Sequence, residues 1–294
     1  MISRLPQNRF FRGAYLMVQR YLRHSVGIQS AALAFYLLFM LFPFLIFISA
    51  LLGLLQLDVA GILRGLKEIL PQAIVEFVGM YLTYVGRNPS PHLLVFGLVF
   101  SIYFPMRATN TLMRAVRTAY HLGPPKGPVR HMLKTLLYTV LLITAIASTL
   151  ALMTVGGRIL GYAVEHLSLP DFVAETWTRL RFPVAAAAGF FALFFLYALA
   201  QDSIQPWRNI WPGTLAALGA WMGLSWLYAF YVDNIANYSL LYGSIGTVIA
   251  LLIWLNMSAV ALIMGAELNG TLISLRKDRI EEKHSGKIQE YRVK

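Results

Sequence analysis

Few side chains in this 294-residue sequence could do chemistry, and those few gather at the ends of apolar runs. Arg107, Asn110, Arg114 and Arg117 recur at spacings of three, four and three, which return to one face of a helix. Such a stripe can hold a phosphate or carboxylate through charge-assisted hydrogen bonds. For Arg114 and Arg117 the plainer reading is favoured, that they snorkel to the inner interface and fix orientation. Arg107 differs, because the apolar run before it, Leu93 to Met106, is too short to span and draws it deeper, where a guanidinium needs a partner or water. Glu267 is the expected partner. It ends the last apolar run, with Asn256 eleven residues earlier on the same face, so the pair forms a polar stripe that should turn inward. Glu267 would pair with Arg107 in one state and release it in another, or take up a proton; equally, it would neutralise an arginine and fix packing. Pro43 and Pro105 interrupt apolar runs, and Gly243, Gly246 and Gly265 punctuate the last one; these are helix-break candidates of the kind that line transport sites, though both residue types are common in membrane helices. Tyr36, Tyr103 and Trp254 read as packing or lipid-facing residues.

Signals for enzymatic chemistry are absent from the sequence. The histidines (His24, His92, His121, His131, His166, His284) are scattered singly, with no paired zinc motif. There is no Walker loop, dinucleotide-binding glycine pattern or nucleophile elbow. With no cysteine, disulfides, thiolate metal sites and thiol catalysis are excluded. No cofactor and no metal are expected.

These residues must be positioned by membrane helices. Hydrophobic residues make up 58% of the chain and charged residues 13%, against about 45–50% and about 25% in soluble domains. So few charges cannot cover a water-facing surface, and lipid is the implied solvent. Charge-free gaps place spans near 28–57, 135–157, 182–200, 211–231 and 243–266, with a sixth near 93–116 that carries Arg107. The fold class expected is all-α and polytopic: one transmembrane domain over 1–275, an amphipathic outer segment at 58–92, and a charged tail at 276–294. Strands of a β-barrel would alternate, and these runs do not. The first span is too long, and too poor in cleavage signals, for a removable leader, so it is expected to target the chain.

The formal charge of +12 resembles a nucleic-acid signal until it is sorted by loop. Nineteen basic residues fall on the side of the N-terminal arm, the 107–134 stretch, the 201–210 loop and the tail; six fall on the other. This alternation puts both termini in the cytoplasm and makes the charge a topology signal, so no nucleic-acid partner is expected.

Several motifs resemble a known family. Gln29-Ser30-Ala31-Ala32-Leu33-Ala34-Phe35-Tyr36 with Leu41-Phe42-Pro43-Phe44, Asn110-Thr111-Leu112, Trp211-Pro212-Gly213, and Tyr242-Gly243-Ser244-Ile245-Gly246 leading to Gly265-Ala266-Glu267-Leu268-Asn269 are similar to the YihY/virulence factor BrkB family of bacterial inner-membrane proteins. The likeness runs from about residue 10 to 275, leaving out the polar tail. It implies six transmembrane helices, an inner-membrane location, links to serum resistance and envelope lipid handling, and an old ribonuclease label. It carries Gln29, Tyr36, Asn110, Gly246 and Glu267 over as candidate site residues. The leading expectation is a transporter or flippase, not driven by ATP, for an amphipathic anionic substrate such as a phospholipid or envelope-lipid precursor. A headgroup would enter between the second and sixth spans. The alternative is a non-transporting scaffold for envelope integrity, and a membrane-bound ribonuclease stands third. Membrane lipids are the expected partners, with self-association or an envelope protein left open.

Overall fold

A computed structural model describes residues 9–54, 79–80, 91–125, 127–144, 172–201, 206–234 and 245–293. Among the described residues the secondary structure is helical, without strands. The helices are α1 (Arg9–Arg23), α2 (Val26–Leu54), α3 (Pro91–Ala119), α4 (128–144), α5 (Phe172–Leu199), α6 (Trp211–Asn234) and α7 (Ile245–Val293), with a 3-10 turn at Trp207–Asn209 before α6. Helix is what a continuously apolar segment forms in lipid outside a closed barrel, because its intrahelical bonds satisfy the backbone N–H and C=O groups within one segment.

Among the described residues, four stretches are by length and composition able to cross a bilayer: Val26–Phe47, Pro91–Ala119, Trp211–Val232 and Val248–Lys277. The expected span at 182–200 corresponds to a shorter apolar helix, Pro183–Leu199. The expected span at 135–157 is helical as far as residue 144 and then leaves the described residues. The outer segment 58–92 lies almost wholly outside them, as does Gly243. The charged segment after residue 275 continues α7 to Val293.

Pro43 and Pro105 sit inside α2 and α3, which run on past them. Each proline deletes one backbone donor without ending its helix, so neither marks a break. Gly246 lies in the first turn of α7 and is buried.

Two compact units can be distinguished. The first comprises Met1–Ala34, Asn110–Met132 and Leu193–Lys294. Its core includes Val26, Leu33, Met113, Val116, Leu196, Tyr197 and Ile263. Within it α6 packs along α7, joined by reciprocal bonds from the Trp221 indole to Ser258 (3.1 Å) and from the Trp254 indole to Ser225 (3.1 Å). The outer face of α6 is apolar and exposed at Leu215, Met222, Trp226, Leu227 and Phe230, as expected of a lipid-facing helix.

Close approach of α6 to α7 depends on small residues. A Cβ built at Gly213 would collide with the Gly265 carbonyl and the Asn269 side chain. Asn269 uses that proximity: its Oδ1 accepts from the Gly213 N–H (2.7 Å), and its Nδ2 donates to the Ile210 carbonyl (2.7 Å). It thereby caps the start of α6, where backbone donors have no intrahelical partner.

The second unit comprises Phe35–Thr109 and Leu133–Ala192. Here α2 and α3 meet where Gly97 abuts the Phe47 backbone. Thr139 donates to the Thr109 hydroxyl (3.0 Å), and Tyr138 to the Ala192 carbonyl (2.6 Å), so α4 is tied to its neighbours by polar side chains.

Candidate functional site

In the first unit, the buried charges converge on Glu267, whose side chain is 1% exposed. Arg20 Nη1 lies 3.3 Å from its Oε2, and His24 Nδ1 lies 2.6 Å from its Oε1. Arg20 also donates to the carbonyls of Ala119 (2.9 Å) and Gly270 (3.3 Å), to Ser274 Oγ (2.9 Å), and to His121 Nε2 (3.1 Å). An arginine can only donate, so His121 Nε2 must accept, which fixes the neutral imidazole. Burial, reinforced by the charges of Arg20 and His24 and opposed by Glu267, lowers the His121 pKa below its ordinary value.

Local structure delivers these groups. α1 ends at Arg23, and Ser25, with a positive φ of 52°, turns the chain into α2. Gln29 Nε2 donates to the His24 carbonyl (2.6 Å) across that turn. α3 ends in a Schellman motif, Leu122 N–H to the Arg117 carbonyl (2.9 Å) and His121 N–H to the Thr118 carbonyl (3.0 Å), with His121 in the left-handed position at φ 54°. That termination projects the imidazole toward Arg20. Gly270 admits the approach, since a Cβ there would meet the Ala119 carbonyl and Arg20 Nη1.

Beside the cluster lies a pocket of about 450 Å³, lined by Tyr120, His121, Asn209, Ser274, Arg276 and Lys277 among others. Tyr120 donates to the Asn209 carbonyl (3.4 Å), and burial pushes its phenol above its ordinary pKa.

Other candidates in this unit have structural partners. Asn110 Oδ1 is 2.8 Å from His131 Nε2, and Asn256 Nδ2 is 3.5 Å from Ser30 Oγ. Arg114 is exposed. Arg117 is buried and donates to the carbonyls of Gly123 and Ala200 (2.6 and 3.0 Å), so it secures the α3 terminus and does not snorkel.

In the second unit, Arg107 is exposed on α3. Its Nη2 lies 3.3 Å from the Tyr36 hydroxyl, and its guanidinium carbon is 5.5 Å from the Tyr36 ring centroid and 5.9 Å from that of Tyr103. Glu267, expected as its partner, binds Arg20 and His24 within the first unit. The sequence gives little sign of Arg20, His24 and Asn269 as site residues: two sit in a basic flank that charge counting treats as surface, and the third looks like a helix-end amide. Among the described residues, no group of three His, Cys, Asp or Glu is placed to hold a metal ion.

A family model described as Virulence factor BrkB matches residues 17–289. The chain is 29% identical over 261 residues to YfkH of Bacillus subtilis (strain 168), whose name marks it as ribonuclease-like, covering 89% of this chain and 95% of that protein. It is 27% identical over 278 residues to a UPF0761 membrane protein of Verminephrobacter eiseniae (strain EF01-2), covering 89% of this chain and 62% of that one. For a UPF0761 membrane protein of Chromohalobacter salexigens, the figures are 25% over 271 residues, 89% and 63%. The chain thus spans less than two thirds of these two longer relatives. No solved structure matches it. With nearly its whole length matched, the chain is a membrane protein belonging to the virulence factor BrkB family.

Proposed function

We propose that this protein binds and translocates an amphipathic anionic lipid, taking its phosphate at Arg107, without ATP. The observation that carries the reading is an exposed guanidinium held against Tyr36 and Tyr103 on an apolar, membrane-length helix. Arg107 lies sixteen residues into α3, about 24 Å along its axis, within the roughly 30 Å that a hydrocarbon core occupies. A cation at that depth is costly unless it snorkels or meets an anion, and a lipid phosphate is the anion the surroundings supply. The two rings hold the guanidinium through cation–π attraction and limit how far it can swing to water. Six crossings, with both termini in the cytoplasm of an inner membrane, complete the proposal, on the strength of the nineteen-to-six charge asymmetry.

The test is transfer of fluorescent phosphatidylglycerol between leaflets of vesicles holding purified protein. Wild type should exceed protein-free vesicles, and Arg107→Ala should lose about tenfold, the worth of one charge-assisted hydrogen bond. Arg107→Lys should fall between them, because an ammonium keeps the charge without the planar fork. Equal rates in wild type and Arg107→Ala would refute the role of Arg107.

The name of the Bacillus relative raises a second reading, hydrolysis of RNA, for which the adjacent His24 and His121 rings beside the pocket offer the acid–base pair. Against it, His24 Nδ1 is tied to Glu267 and His121 Nε2 accepts from Arg20. RNA cleavage by purified protein that disappears in His121→Ala would favour that reading.

A further inference from the structure

The first helix, α1, is built inside out for a helix in water. Phe11, Tyr15, Val18 and Leu22 are 59%, 54%, 62% and 71% exposed, whereas Arg20 is 8% exposed. At 3.6 residues per turn, the four apolar residues occupy an arc of about 60°, with Arg20 about 170° from its centre. The inward face is fixed by the Arg20–Glu267 pair and by packing on α7, so the apolar stripe cannot roll inward without breaking that pair.

We propose that α1 is an in-plane helix that binds the anionic surface of the membrane leaflet where α2 begins, with Phe11, Tyr15, Val18 and Leu22 at the boundary between headgroups and acyl chains. Three observations select lipid as the occupant. α2, which spans, starts three residues after α1 ends, so the stripe is tethered to the bilayer surface. Ile28, in the first turn of α2, is 74% exposed, so the start of the apolar helix also presents an uncovered apolar side chain. The helix sequence contains four arginines and no acid, and Arg23, exposed next to Leu22, brings positive charge to the stripe's edge that suits anionic headgroups. This inference is independent of lipid transfer at Arg107 and needs only that the chain is a membrane protein.

Because the chain lacks cysteine, single cysteines can be introduced at Val18, Leu22 and Gln19, all exposed, and given nitroxide labels. In nanodiscs of phosphatidylglycerol and phosphatidylethanolamine, collisions with oxygen should exceed those with a water-soluble nickel chelate several-fold at positions 18 and 22. The ratio should be lower at position 19, which lies off the stripe. Replacing the anionic lipid by phosphatidylcholine should reduce the ratio at 18 and 22. Equal nickel access at all three positions would place the helix in water and overturn the proposal. Exclusion of both reagents with spin–spin broadening would put a second copy on the stripe and overturn it equally. Unchanged ratios without anionic lipid would overturn the charge component.

Discussion

At the scale of single residues, Glu267 serves as an anchor for a guanidinium and an imidazole from another part of the chain. A carboxylate 1% exposed is tolerated only because Arg20 and His24 occupy its oxygens. Glu267→Ala should therefore cost about 3–5 kcal/mol, read as a lowered thermal midpoint in detergent, because it strands a buried guanidinium. Glu267→Gln, which keeps acceptor and shape, should cost less. His121 supplies a pH test whose sign follows from its lowered pKa. The unfolded chain takes up a proton at about 6.5, while the folded site resists it, so stability falls as pH drops below that value and levels off below the folded pKa. His121→Asn, which retains an acceptor for Arg20, should flatten this part of the profile. Of this cluster the sequence points to Glu267, as an inward carboxylate facing an arginine, but not to the partners it takes. Arg20 and Glu267 are 247 positions apart, and a rule that places basic flanks at the surface cannot reveal which of five N-terminal arginines turns inward. By contrast, Arg107 announced itself through helix length, since a 14-residue apolar run cannot carry it to the interface.

At the scale of elements, charge-free gaps located α2, α6 and α7, and the apolar run from Leu93 with the alternation of basic loops located α3 despite Arg107, because a span must be apolar over most of its length. α1 was read only as a basic arm, since its apolar residues are spaced for one face and its charges hide that period from a composition count. The prolines misled in the other direction: Pro43 and Pro105 look like interruptions, yet a missing donor is a local loss that α2 and α3 absorb. Two glycines of the family motifs, Gly213 and Gly265, are accounted for by packing. Gly213→Ala should push α6 off α7 and disturb the Asn269 cap, costing about 1–3 kcal/mol by overpacking. Gly13→Ala is the contrasting control, because a Cβ there meets nothing within 4 Å and should gain up to about 1 kcal/mol from helix propensity. Thermal unfolding of both variants checks the difference.

At the scale of the whole molecule, the sign asymmetry of the positive charge predicts a topology that can be tested directly. Cysteines introduced near either terminus should react with a membrane-impermeant maleimide only after the cytoplasmic side is opened, and one introduced at 58–92 should react from outside. Two lipid contacts are proposed on one chain: α1 lying on the bilayer surface, and Arg107 reaching a phosphate from an apolar, membrane-length helix. The second is the central claim, and lipid retention measures it most directly. Protein from nanodiscs containing equal phosphatidylglycerol and phosphatidylethanolamine, released and weighed intact by native mass spectrometry, should carry bound phosphatidylglycerol in preference. Arg107→Ala should lose that preference while Gly13→Ala keeps it. The same anionic lipid retained equally by wild type and Arg107→Ala would contradict the account.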